Sequence, residues 1–214
     1  MLHHEHLAWS AGHLLIGIDE VGRGPLAGPV VAAAVCFPID HPGITGVRDS
    51  KRVVRPSERV RLAQQIRAEA LAWGLGAASV REIARDNIRR ATALAMRRAL
   101  HRCRAQLDAG VVAMIIVDGL RVPELQADHQ ALVKGDAQCH AIAAASLIAK
   151  VARDRLMQAL ATRRPDYGWQ TNVGYATQAH IAALRAHGRT PHHRALFCDT
   201  ALGQHEIFAA VVGG

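Results

Sequence analysis

LLIGIDEVGRGPLAGPV, residues 14–30, joins an apolar run to a pair of acids and a Gly/Pro-rich turn. Its apolar run, Leu14 to Ile18, reads as a strand that ends on two adjacent carboxylates, Asp19 and Glu20, and passes at once into Gly22-Arg23-Gly24-Pro25. Burying an ionised carboxylate without a partner costs several kcal/mol or more. Two of them at the end of an apolar strand therefore point to a cation, a base or a functional cleft. The glycines let a backbone come close to a ligand, and Arg23 offers a fork of donors suited to phosphate.

Pro29 to Phe37 (PVVAAAVCF) reads as a second strand, as continuously apolar as the first, which implies a sheet covered on both faces. Pro56 to Ala70 reads as a helix with proline in its first turn, and Leu71 to Val80 as a third strand. Arg81 to Leu107 reads as a long helix whose Ile83, Ile88, Ala91, Leu94, Ala95 and Leu100 form one apolar stripe. Val111 to Val117 is a buried strand ending in Asp118-Gly119, and Ala131 to Val133 a shorter one ending in Lys134-Gly135-Asp136. In the alanine-rich helix Ala141 to Ala161, the spacing puts Ser146, Lys150, Arg153 and Asp154 on one polar face. Aromatic and glycine signals follow (Tyr167-Gly168-Trp169, Gly174-Tyr175), then a helix from Thr177 to Ala186 and a weakly patterned tail. The pattern predicts an α/β fold with helices on both faces of the sheet. Its expected division is a flexible polar tail (1–13), a core (14–164) and a C-terminal helical segment (165–214).

The 214 residues carry 26 Lys plus Arg against 18 Asp plus Glu, and residues 48–104 alone hold 15 basic and 5 acidic side chains. That concentration suits a partner with a phosphate backbone and equally suits an Arg-rich solvated helical face. Cys36, Cys103, Cys139 and Cys198 are widely spaced, which predicts reduced thiols in a cytoplasmic protein rather than a zinc site or disulfide framework. No run reaches the length of a membrane span, and the N-terminus lacks the order of a secretion signal. A monomer is expected, with no membrane contact. His3, His4, His6 and His13 read as part of a loose tail in preference to a metal site.

Three strands end in acid: Asp19-Glu20, Asp118 and Asp136. Ligand sites in open α/β sheets gather at strand ends, so these residues can meet in one cleft. Four carboxylates brought close repel one another unless divalent cations neutralise them, and all-oxygen ligation favours Mg²⁺ or Mn²⁺. Each acid taken alone reads more readily as a turn or cap residue. Successive strand side chains point to opposite faces, so Asp19 and Glu20 are expected to converge only if the strand breaks toward Gly22.

These residues carry a family resemblance. Asp-Glu-Val-Gly-Arg-Gly-Pro-Leu-Ala-Gly-Pro-Val-Val (19–31) closely resembles the opening signature of prokaryotic ribonuclease HII. Further blocks resemble that family in order: Asp49-Ser50-Lys51, Asn87-Ile88 through Ala95-Met96, Val117-Asp118-Gly119, and Lys134-Gly135-Asp136. Ala143 to Ser146, Ala149 to Asp154, Gly174-Tyr175-x-Thr177-x-x-His180 and His193-Arg194 continue the series. The chain departs from the family at Leu120, where asparagine is common, and at Val173, where lysine is common.

The resemblance implies a ribonuclease H-like fold, with a central mixed β-sheet flanked by helices on both faces and a C-terminal helical extension. It implies metal-dependent endonucleolytic cleavage of RNA/DNA hybrids and of duplex DNA containing ribonucleotides, leaving a 3′-hydroxyl and a 5′-phosphate. By that likeness Asp19, Glu20, Asp118 and Asp136 hold two Mn²⁺ or Mg²⁺ ions, with Asp19 bridging. Gly22, Arg23 and Gly24 sense the ribose 2′-hydroxyl, Tyr175 packs on the following sugar, and Ser50 and Lys51 hold backbone phosphate. His192 and His193 are expected to be structural. The sister ribonuclease HIII, disfavoured by the short stretch before the first strand, and a non-catalytic hybrid-binding module are the alternatives.

Overall fold

The computed structural model describes residues 1–47 and 55–203, so the Asp49-Ser50-Lys51 motif, Ser50 and Lys51 included, lies outside the described residues. The chain runs through α1 (His3–Ser10), β1 (Leu14–Val21), β2 (Val30–Cys36), α2 (Pro56–Glu69), β3 (Ala72–Ala78) and α3 (Val80–Arg104). It continues through β4 (Ala113–Asp118), β5 (Gln130–Leu132), α4 (His140–Arg163), α5 (Trp169–Asn172), α6 (Gln178–His187) and α7 (Ala195–Ala201). The sheet order is β3-β2-β1-β4-β5. β1 pairs antiparallel with β2 and parallel with β4, which makes the sheet mixed.

The apolar strands are buried on both faces, as their composition requires. Leu15, Val31, Ala33 and Val35 pack against α2 and α4, while Ile16, Ile18, Ala32 and Ala34 pack against α3. A third cluster joins Leu26 and Ala27 to Met157, Tyr167, Trp169 and Leu184, and so ties the C-terminal helices to the segment after β1.

α3 lies directly on β3. A Cβ at Gly76 would stand 2.0 Å from the Ala95 carbonyl oxygen, and one at Gly74 2.2 Å from that of Ala99, so only glycine permits this approach. From the same helix, side chains reach the open edge of β3. Arg98 Nη1 donates to Ala77 O at 2.6 Å, Arg102 donates to Leu75 O, and Gln106, just beyond the helix, exchanges hydrogen bonds with the Trp73 backbone. Part of the basic excess is therefore spent on the protein's own backbone.

Two expectations need correction. Residues 3–10 form a helix where the sequence suggested a loose tail, because Glu5 is drawn into the interior at 1% exposure and His140 N donates to Met1 O. α3 is also two helices joined at Asn87, whose φ of 64° and ψ of 166° interrupt the turn. Asn87 Oδ1 accepts from the Arg89 and Arg90 N–H groups and so caps the second half, a role for which asparagine is well suited.

Candidate active site at the strand ends

β1 continues in register through Val21, with Asp19 opposite Ala33 and Glu20 opposite Ala32. The strand ends only at Val21, just before Gly22, so the break that would let Asp19 and Glu20 converge comes after Glu20 and the two side chains stay on opposite faces. Asp19 shares the face of Leu15, toward α4, while Glu20 shares the face of Ile16 and Ile18, toward α3. Glu20 Oε1 lies 3.4 Å from Arg23 Nη1, and the Glu20 N–H donates to Asp19 Oδ1 at 2.7 Å.

Asp19 is 6% exposed. Burial first, then the Glu20 charge, raises its pKa well above the usual carboxylate range; Ser146 on α4 opposes this by a hydrogen bond, and Asp118 adds to the rise. Glu20 is likewise raised by burial, against the favourable charge of Arg23, and it too feels Asp118. Asp118 stands at the end of β4, the parallel neighbour of β1, and its Oδ1 accepts from the Gly135 N–H at 2.6 Å. Asp136 is buried in the 3₁₀ turn Gly135–Ala137 that leads into α4. Parallel pairing thus brings Asp19, Glu20 and Asp118 within electrostatic reach of one another, with Asp136 one residue beyond the Gly135 contact.

Among the described residues, no three His, Cys, Asp or Glu side chains are gathered closely enough to grip a single ion as they stand. Asp118 is turned to the Gly135 N–H and Glu20 to Arg23. The donor set still suits a hard divalent cation: it is all carboxylate oxygen, and the raised pKa values of Asp19 and Glu20 mark carboxylates whose charge is opposed first by burial. Beside it a cavity is lined by Glu20, Arg23, Arg89, Thr92, Asp118 and Arg121. Leu120 is 79% exposed at its rim.

The segment after β1 is held from the C-terminal side. Leu26 N donates to Gly174 O at 2.8 Å, Arg194 N to Leu26 O at 2.7 Å, and Gly28 N to His192 O at 2.9 Å. Tyr175 follows Gly174 and is 43% exposed, available to a ligand. Its carbonyl accepts from His180 Nδ1 at 2.8 Å, and His180 Nε2 accepts in turn from Trp169 Nε1 at 3.1 Å. His193 is buried against His180, 3.0 Å away, and so belongs to this support.

Sequence reasoning placed Arg153 on a polar helix face, yet it is fully buried, as is Arg194 at 2% exposure. Lys150, by contrast, pairs with Asp154 at 2.7 Å. The signal for Arg153 lay in its spacing, since it sits four residues before Met157 and eight before Ala161, on the buried stripe of the second half of α4. All four cysteines are free and buried, and burial pushes the Cys36 and Cys103 thiols up to about 12. Among the described residues no helix is long and apolar enough to cross a membrane.

A five-stranded mixed sheet between helical layers, with acids at the ends of its central parallel strands, defines the ribonuclease H-like class of α/β proteins. Solved structures agree: ribonuclease H2 from Pyrococcus horikoshii OT3 superposes with a TM-score of 0.71 at 23% identity, over 89% of this chain and 98% of that one. Bst-RNase HIII in complex with Mn²⁺ gives 0.68 at 22% identity, over 89% and 70%. The family model for ribonuclease HII matches residues 16–200, and ribonuclease HII of Synechococcus sp. (strain JA-3-3Ab) is 49% identical over 209 residues, 96% of this chain and 90% of the relative. The chain belongs to the ribonuclease HII family and is an endonuclease of the ribonuclease H type.

Proposed function

We propose that this endonuclease cleaves the RNA strand of RNA/DNA hybrids and nicks duplex DNA on the 5′ side of single embedded ribonucleotides, leaving a 3′-hydroxyl and a 5′-phosphate. Removal of misincorporated ribonucleotides and RNA primers, by a cytoplasmic monomer, is the corresponding role. The observation that carries this reading is the buried Asp19 carboxylate, set beside Glu20 on its own strand and facing Asp118 at the end of the parallel neighbour β4, with its pKa raised by burial and by both charges.

Asp19, Glu20, Asp118 and Asp136 would hold Mn²⁺ or Mg²⁺; the ribonuclease HIII neighbour with Mn²⁺ supports that chemistry. Two such ions supply activation of the attacking water and stabilisation of the leaving oxygen. The protein's side chains do the rest. Ser146 orients Asp19 from α4. The Gly135 N–H fixes one oxygen of Asp118 and leaves the other free. Glu20 now faces Arg23, an exposed guanidinium whose fork of donors suits a phosphate, and as a ligand Glu20 would hold the cation from the opposite side of β1 to Asp19. In this reading the Gly22-Arg23-Gly24 backbone meets the ribose 2′-hydroxyl, the group that distinguishes RNA from DNA, and Tyr175 stacks on the next sugar. Ser50 and Lys51 are assigned to backbone phosphate by family likeness alone.

The test is a DNA duplex with one internal ribonucleotide, incubated with Mg²⁺, Mn²⁺ or chelator, alongside Asp118→Asn. Asparagine keeps an acceptor for Gly135 while removing the charge, so folding should persist and cleavage should fall at least a hundredfold. Nicking 5′ to the ribonucleotide that needs metal and Asp118 supports the reading. Tight binding without cleavage under either metal would favour a hybrid-binding module instead.

A further inference from the structure

Arg153 and Arg194 are both buried, yet among the described residues neither forms an ion pair with a carboxylate. Their hydrogen bonds all run to backbone carbonyls. Arg153 Nε donates to Pro29 O at 3.1 Å, Nη1 to Val173 O at 2.9 Å and Nη2 to Ala27 O at 3.0 Å. Arg194 Nε donates to Gly28 O at 2.9 Å, Nη1 to Arg23 O at 2.8 Å and Nη2 to Gly22 O at 2.6 Å. Burying two like charges side by side is unfavourable, and the same space filled by apolar side chains would serve stability as well or better. What an apolar pair cannot do is fix the direction of six carbonyls.

Those carbonyls lie on three segments. Arg194 grips Gly22 and Arg23, the loop assigned above to the ribose. Arg153 grips Val173, the residue before Gly174-Tyr175. Both also grip the intervening Ala27–Pro29 strip, whose neighbour Leu26 is bonded to Gly174 on one side and Arg194 on the other. Gly22, at φ 91°, lies so close that a Cβ there would stand 2.2 Å from Arg153 Nε, so the two guanidiniums and the loop form one packed unit.

We propose that Arg153 and Arg194 are positioning residues for substrate selection: a double guanidinium latch that sets the separation between the Gly22–Gly24 loop and Tyr175, and thereby the preference for a ribonucleotide followed by deoxyribose. The inference rests on the reading of that loop and of Tyr175 given above. A lysine keeps the charge but presents one compact ammonium, which cannot span three diverging carbonyls. The ring of Phe197 lies 5.3 Å from the Arg194 guanidinium carbon, half-buried, and supports the fork from one side.

The experiment compares kcat/KM for a DNA duplex carrying one ribonucleotide with that for a hybrid carrying a continuous RNA strand, in wild type, Arg194→Lys, Arg153→Lys and Phe197→Leu. The latch predicts that the ratio of the two falls at least fivefold in either lysine variant and about twofold in Phe197→Leu. A merely structural role lowers thermal stability and reduces both activities together, leaving the ratio unchanged; that result in folded variants overturns the inference. If the lysine variants fail to fold, Phe197→Leu decides, because a conservative change at a half-buried ring leaves the core intact. Failure of the underlying reading is separately visible, as a wild-type protein that cuts the hybrid but leaves the single ribonucleotide untouched.

Discussion

The Glu5 carboxylate caps α4 from 136 residues away: Oε1 accepts from the Ala141 N–H at 2.9 Å, where the helix has no capping side chain of its own. The Cys139 thiol donates to the same oxygen at 3.2 Å. A helix start buried without such a partner leaves N–H groups unsatisfied. Glu5→Ala should lower unfolding free energy by about 1–3 kcal/mol, measured by urea denaturation, and Glu5→Gln, which keeps an acceptor, should lose much less. Equal losses would show that Glu5 acts by packing and not as a cap.

Acid should destabilise the fold through two neutral imidazoles. Burial, and the charge of His41, pull His140 down to about 4, and its Nε2 accepts from the Ile44 N–H at 3.1 Å. Burial, and the charge of His180, pull His193 down to about 4, with Nδ1 accepting from the Thr190 N–H. Both groups bind a proton more readily unfolded than folded, so their contribution is complete above pH 6.5 and is lost as pH falls toward 4. Each should remove roughly 2 kcal/mol by pH 5. Denaturant titrations at pH 7.5 and pH 5 measure the difference, and a flat profile would contradict these burial effects.

Val173 is a β-branched residue at φ 43°, a conformation that crowds its Cβ. Its carbonyl is nevertheless fixed by Arg153, so the backbone cannot relax. Val173→Lys should leave stability unchanged or raise it by up to about 1 kcal/mol, while lowering KM for duplex and steepening its salt dependence by about one unit of slope. A KM that does not move would mean that no phosphate passes this position.

Gly76→Ala should be among the most damaging single changes in the sheet. The added methyl meets backbone on α3, which has no side-chain freedom to yield, so α3 must lift from β3. A loss of about 3 kcal/mol is expected, near the upper end of ordinary overpacking, read by thermal or denaturant unfolding. A small loss would show that the α3–β3 seam can open.

Much of this architecture was legible because apolar continuity and helical spacing are local signals. The sequence pattern predicts β2 over Pro29–Phe37 and the strand runs Val30–Cys36; it predicts α4 over Ala141–Ala161 and the helix runs His140–Arg163. The acids were visible for the same reason, each closing an apolar run. What escaped were features created by distant partners. α1 has no apolar stripe of its own and is ordered by Glu5 meeting α4. The break at Asn87 sits inside an unbroken helical pattern, marked only by an asparagine after Asp86. The direction of Glu20 depends on how far pairing with β2 persists, which the glycines after it do not reveal.

The open edge of β3 has a consequence for the life of the protein outside its chemistry. An exposed edge is a template on which another chain can add a strand. Here Arg98, Arg102 and Gln106 occupy the outward carbonyls of Ala77, Leu75 and Trp73, and at the opposite border β5 is only three residues long. The sheet is thereby closed to growth on both sides. Changes at these side chains should be felt first in yield and solubility during synthesis, before catalysis is altered, so that α3 guards the fold against its own copies.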